Sequence, residues 1–174
     1  MITQKLLKEL LHYNPETGEF FWNKRDREHF KSDHSMMSWN TKYAGTTAGT
    51  IDGKGYIHIS IFKKLYRAHR LAWLYVHNEF PENIDHMNRD KIDNRILNLR
   101  PATFKQNAGN SGIHAHNTSG YRGVSLNNKT GKYHAQIKIN GKQTYLGRFD
   151  DPKEAHAMYV KAAKRHFGEF AYVD

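Results

Sequence analysis

Apolar residues in this chain come in short blocks, some spaced for helices and some alternating as in strands. Leu6, Leu7, Leu10 and Leu11 lie on one side of a helix predicted over residues 3–12. Asn14-Pro15 and Thr17-Gly18 carry turn chemistry, and Phe20 to Trp22 reads as the strand that follows. Residues 24–43 are polar, charged and weakly periodic, which predicts a long loop. Residues 49–70 read as a hairpin, with Tyr56, Ile57, Ile59 and Ile61 leading into a turn near Lys63-Lys64. A helix follows, with Ala68, Leu71, Ala72 and Tyr75 at helical spacing. Ile84–His86 is then a short strand, Met87–Asp93 a polar loop, and Leu99–Ala102 a second strand that Pro101 marks as an edge. Thr103 is the N-cap expected for a helix from Phe104 to about Asn110.

The run GNSGIHAHNTSG has linker composition and places a domain boundary at 109–118. Beyond it the pattern sharpens. YRGVSL is a strand, and KYHAQIKI alternates, with Tyr133, Ala135, Ile137 and Ile139 on one face and His134, Gln136 and Lys138 on the other. Asn140-Gly141 is a two-residue hairpin turn, so Gln136 should oppose Tyr145, and Lys138 should oppose Gln143. Asp150 or Asp151 caps a helix with Pro152 in its first turn and Gly168 near its end. The expected class is α+β: an N-terminal region over 1–108, then a small three-stranded antiparallel sheet with one helix over 119–174.

Charge narrows the function. The net charge is +10 with His neutral, and it divides evenly, +5 before residue 109 and +5 after it. A basic chain of this kind expects an anionic partner, nucleic acid or an anionic membrane surface, and nucleic acid is the better match; that it is double-stranded DNA is what the resemblances given below imply. No run of about 18 apolar residues is present, so no membrane span is expected. The start MITQKLLKELL lacks the apolar core and cleavage site of a secretory signal. The absence of cysteine excludes disulfides and thiolate zinc sites and fits a reducing cytoplasm. Any metal must then be held by oxygen and nitrogen ligands, which favours Mg²⁺ or Mn²⁺, or a His-rich zinc site.

The stretch IDHMNRDKIDNRILNLRPATFKQN concentrates short polar ligands. Asp85 offers a hard anionic oxygen and Asn107 a neutral one. Together they would fill part of a Mg²⁺ shell and leave room for water and phosphate. His86, with an ordinary pKa of about 6.5, is the natural base for an attacking water. Strict strand alternation sends Asp85 and His86 to opposite faces, so both reach one phosphate only where the strand ends or twists. Singly, Asn94 and Asn98 read as turn and cap residues, Asp90 and Asp93 as loop caps, and His114 and His116 as solvated linker residues. His69 is a rival base, but its apolar helical neighbours assign it to packing.

The spacing of His86, Asn98 and Asn107, with Asp85 before the His and DNR-x3-NLR between, resembles the His-Asn-His (HNH) nuclease family in its phage homing-endonuclease branch. GYIHISIFKKLYRAHRLAW resembles the same branch, and the likeness covers about 45–110. It implies a ββα-metal fold, one divalent metal on Asp85 and Asn107, His86 as general base, and Asn98 as a loop organiser that orients the His. YRGV, YLGRF and the D-x2-EAH-x2-Y-x3-A helix resemble the ethylene-response-factor class of DNA-binding domain over about 119–171. That likeness implies DNA contacts by Arg122, Ser125, Gln136, Lys138 and Tyr145. Plant members have Trp at the position of Tyr145, and Arg at those of Ser125 and Lys138. Arg122, Val124 and Leu126 share a parity, so Arg122 reaches DNA only through a bulge, expected at Gly123. The reading is a two-domain DNA endonuclease of phage or mobile-element type, acting in the host cytoplasm, with no obligatory protein partner inferred. Its rival is a non-catalytic DNA-binding regulator with a degenerate nuclease module.

Overall fold

In the computed structural model, which describes residues 2–113 and 116–172, the chain divides into two compact units, 1–101 and 102–174. The division falls before the helix at 104 rather than in the Gly/Asn-rich stretch at 109–118.

The first unit opens with α1, Gln4–Leu10, whose N-cap Thr3 accepts from Leu6 N at 3.3 Å. Leu7 and Leu10 are buried, but the chain leaves the helix at Leu11, earlier than the leucine pattern implies. Leu11–Tyr13 becomes β1 and pairs antiparallel with β2, Phe20–Trp22. Between them the Asn14 side chain accepts from the backbone of Glu16 and Thr17, and Gly18 takes φ +79°.

The stretch expected to be a loop contains a helix, α2, Asp33–Tyr43. A Ser32/Ser35 capping box starts it, and none of its residues is fully buried; Met36, Trp39 and Tyr43 lie half-buried at helical spacing amid polar residues, a stripe too narrow to stand out in the sequence. β3 (Thr50–Ile51), β4 (Ile57–Ile61) and β5 (Lys64–Arg67) form an antiparallel sheet. The β4–β5 turn is Phe62-Lys63, one residue earlier than expected, and both residues have positive φ. α3, Ala68–His77, buries Ala68, His69, Leu71, Ala72 and Leu74 and ends on a left-handed Asn78. β6 (Asn83–His86) and β7 (Leu99–Ala102) close a two-stranded sheet. The core of this unit joins the leucines of α1 to Tyr13, Phe20, Ile59, Ile61, Leu71, Ile84 and Leu99.

The second unit begins with α4, Phe104–Gly109, capped by Thr103 with Gln106 returning the bond. β8 (Val124–Asn127), β9 (Lys132–Ile139) and β10 (Lys142–Phe149) form a sheet in the order β10-β9-β8, and α5, Pro152–Phe167, packs on it. Asn140 and Gly141 both have positive φ, and Tyr145↔Gln136 and Gln143↔Lys138 pair as the two-residue turn requires. Val124, Ala135, Ile137, Ala155, Tyr159 and Ala163 make its core. Gly123 sits so close to Tyr159 that a Cβ would lie 2.0 Å from the ring. Its φ is +72° and its carbonyl accepts from Gln136 N, while the ladder's register shift lies elsewhere, between Tyr145 and Gly147. The α+β class with these small antiparallel sheets is the one the patterns predict. Among the described residues no helix is long and apolar enough to cross a membrane.

Candidate active site

β6 becomes buried along its length, and the site lies at its end. Asp85 and His86 are 4% and 6% exposed, so neither is an ordinary surface carboxylate or imidazole. Their side chains take different partners, as alternation requires. Asp85 Oδ2 accepts from Arg100 Nε at 2.9 Å and is paired with Nη2 at 2.8 Å. His86 Nε2 meets Asn94 Oδ1 at 3.2 Å.

The loop between β6 and β7 is tied from inside. Asn98 Oδ1 accepts from Asn88 N at 3.0 Å, and Asn98 Nδ2 donates to Asn88 Oδ1 at 2.9 Å and to the Asp93 carbonyl at 2.8 Å. Asp90 accepts from Ile92 N, and Asp93 from Arg95 N, which makes both the loop caps the sequence suggests. The Arg95 side chain also grips Asp93 and holds its carboxyl at about 2, below the usual range. Asn98 thus organises the loop, but the side chain on the His86 ring is Asn94, which by sequence alone reads as a turn residue.

His69 faces His86 edge-on, with ring centroids 5.0 Å apart and planes at 80°, and Tyr56 stands 5.5 Å from His69. Burial, followed by the neighbouring His86, Arg67, Arg70 and His58, pushes the His69 imidazole down to about 3. So weak a base is neutral at physiological pH and accepts a proton poorly, which fits a packing role. His86 is also lowered, chiefly by burial, while Asn94, Asp85, Asp93 and Asp90 draw it back up. Arg67 and Lys91 lie 4.3 and 4.9 Å from the Tyr56 ring and bring positive charge beside the paired histidines. Beside Asn98 opens a depression lined by Pro15, Glu16, Met87, Asn88, Arg95 and Leu97.

Asn107 stands half-buried on α4 in the second unit, its backbone N–H bonded to the Thr103 carbonyl. Among the described residues, the Asp, Glu or His side chains that converge in threes are Glu9, Glu28 and His29, which no sequence motif singles out. His116 is exposed, and His114 lies outside the described residues.

On the second unit's sheet, Ser125 pairs with His134, Gln136 with Tyr145, and Lys138 with Gln143. Paired residues share a face, so these six side chains line one surface. Tyr145 is 59% exposed and meets His134 edge-on at 5.5 Å. The bulge after Tyr145 brings Arg148 opposite His134, adding to this surface a cation that strict alternation assigns to the other face. Arg122 is engaged differently. Its guanidinium donates to the carbonyls of Gly109 at 2.7 Å and Ala108 at 2.9 Å and to Ser111 Oγ at 3.0 Å, closing the end of α4.

Comparison with known proteins finds likenesses that include the β6–β7 segment. The family model of the HNH endonuclease matches residues 66–108. An uncharacterized HNH endonuclease of Acanthamoeba polyphaga mimivirus is 33% identical over 106 residues, which are 59% of this chain and 54% of that protein. Protein 3.8 of Escherichia phage T7 is 29% identical over 112 residues, 63% of this chain and 92% of the phage protein. Among solved structures, the DNA-binding and DNA-cleaving HNH homing endonuclease I-HmuI is similar with a TM-score of 0.41 and 25% identity, over 62% of this chain and 54% of that one. The chain spans about half the length of the mimivirus relative. The segment that matches the HNH endonuclease model contains Asp85, His86, Asn98 and Asn107.

Proposed function

We propose that the protein is a metal-dependent DNA endonuclease of the homing type, cutting a phosphodiester at His86 and targeted by the sheet of its second unit. The observation that carries this reading is the adjacent Asp85 and His86, both buried at the end of β6 inside the HNH-matching segment. His86 takes a proton from the attacking water. Burial keeps its imidazole unprotonated at neutral pH, as a base requires. Asn98 holds the loop behind it, and Arg67 and Lys91 favour an approaching phosphate.

The ion called for is a hard divalent one, Mg²⁺ or Mn²⁺. Asp85 offers a carboxylate and Asn107 an amide oxygen, and the chain has no thiol. A bound ion supplies charge neutralisation at the phosphate and the leaving oxygen. On the second unit, Ser125, Gln136, Lys138 and Tyr145 form a DNA-reading surface of the ethylene-response-factor kind, enlarged by Arg148. Arg122 supports that unit from within. With relatives in a phage and a large virus, the setting is a viral or mobile element acting on DNA in the host cytoplasm.

A second reading, a DNA-binding regulator with an inactive module, is favoured by the hold of Arg100 on Asp85 Oδ2. Incubating the protein with host genomic DNA and Mg²⁺, and mapping the ends, separates the two. Discrete cuts that vanish with excess chelator support the nuclease. Persistent cutting in chelator overturns the metal, and binding without cuts favours the regulator.

A further inference from the structure

Asn94 is 1% exposed, and the polar atoms of its side chain and backbone are all engaged. Its Nδ2 donates to the Ile92 carbonyl at 3.2 Å. A carbonyl can only accept, so this bond fixes which way the amide faces. Oδ1 is then the atom turned to His86 Nε2, and an amide oxygen also only accepts. The ring must therefore carry its hydrogen on Nε2. A neutral imidazole has one N–H and one lone pair, which leaves the basic lone pair on Nδ1.

The segment bearing Asn94 is held from the other end of the unit. Tyr13 Oη donates to the Asn94 carbonyl at 2.7 Å, across 81 residues of sequence. The Tyr13 ring is buried and packs on Phe20 at 4.7 Å and Tyr75 at 5.6 Å, so its hydroxyl has little freedom. Ile96 N donates to the Pro15 carbonyl at 3.2 Å. Gly18 lies against the same strap so closely that a Cβ would stand 2.5 Å from Arg95 N and Asn94 C.

We infer that Asn94 is the positioning residue of His86, holding the ring as the Nε2–H tautomer with Nδ1 as its base, and that the β1–β2 hairpin clamps Asn94 through Tyr13 and Gly18. The inference rests on the nuclease reading for its kinetic consequence but not for its spectroscopic one.

The test uses the full chain with ¹⁵N-labelled histidine at neutral pH, His86 being assigned with His86→Gln. Wild type is expected to show a solvent-protected ring N–H on Nε2 of His86. Asn94→Ala should lose that signal, Asn94→Asp should keep it, and Tyr13→Phe should weaken it. If the chain cuts DNA, kcat of Asn94→Ala should fall roughly a hundredfold at unchanged KM, because the base is no longer aimed. Asn94→Asp should recover most of that loss, which a purely structural asparagine would not predict. A protected proton on Nδ1 in wild type, or an Nε2–H signal that survives Asn94→Ala, overturns the proposal. Should Asn94→Ala fail to fold, the wild-type proton position and Tyr13→Phe decide it. A chain that cuts no DNA sinks the nuclease reading and leaves the ring-proton result to stand by itself.

Discussion

Gly18 and Gly45 offer a matched pair of perturbations. Both have φ +79°, yet a Cβ at Gly18 would meet backbone at 2.5 Å, whereas one at Gly45 meets nothing within 4 Å. An alanine at either position incurs the left-handed penalty of about 1–2 kcal/mol. A stiffer unfolded chain offsets about 0.4–1 kcal/mol of this. Gly45→Ala should therefore cost roughly 1 kcal/mol. Gly18→Ala must also push the 94–95 backbone off the hairpin, and overpacking of that kind costs about 1–3 kcal/mol more. Urea unfolding followed by tryptophan fluorescence reads the difference, since Trp22, Trp39 and Trp73 all lie in the first unit. With a slope of about 1–3 kcal/mol per molar, the Gly18→Ala midpoint should lie below that of Gly45→Ala by roughly half a molar or more. Equal midpoints for the two variants would refute the close packing of the hairpin on the strap that carries Asn94.

Other expectations concern pH and the second unit. The folded pKa of His69, about 3, lies below the ordinary value near 6.5, so its neutral form contributes fully above 6.5. As pH falls from 6.5 towards 3 the unfolded chain takes a proton that the folded one refuses, and stability declines by up to about 1.4 kcal/mol per unit. Between pH 7 and 5, wild type should then lose about 2 kcal/mol more than His69→Phe, and parallel losses in the two proteins would reject the buried neutral imidazole. Arg122→Leu should lower the melting temperature, because it strips the Ala108 and Gly109 carbonyls at the end of α4 of the guanidinium that donates to them; unchanged melting would remove its capping role. Tyr145→Ala and Arg148→Ala should weaken DNA binding, the latter with a shallower salt dependence, and a gel-shift series at several salt concentrations that finds neither change would move the reading surface elsewhere.

Local chemistry made much of the fold legible. Asn140-Gly141 specifies its hairpin, Thr103 its helix start, and the alternation of KYHAQIKI its buried face. α2 escaped because its apolar side, Met36, Trp39 and Tyr43, is narrow and only half-buried, which leaves a weak periodic trace among polar residues. The bulge that brings Arg148 beside His134 changes the facing of all that follows it, and Gly147 was its sole local sign. Within the site, Asp85 and His86 were legible as adjacent polar residues of types suited to metal and proton chemistry. Their partners were not. Arg100, Asn94 and His69 reach them across the β6–β7 sheet, the loop and α3, and Tyr13 reaches Asn94 from the far end of the unit. Such contacts follow from the fold, and short-range pattern carries no record of them.

The central claim is that His86 carries the chemistry while other surfaces hold the DNA. Its most direct test is cleavage of genomic DNA in Mg²⁺ by wild type and by His86→Ala, with DNA binding measured on the same preparations. The account predicts discrete cuts by wild type, roughly a hundredfold loss or more in the variant, and nearly unchanged affinity. A His86→Ala protein that binds and cuts as wild type does would contradict it.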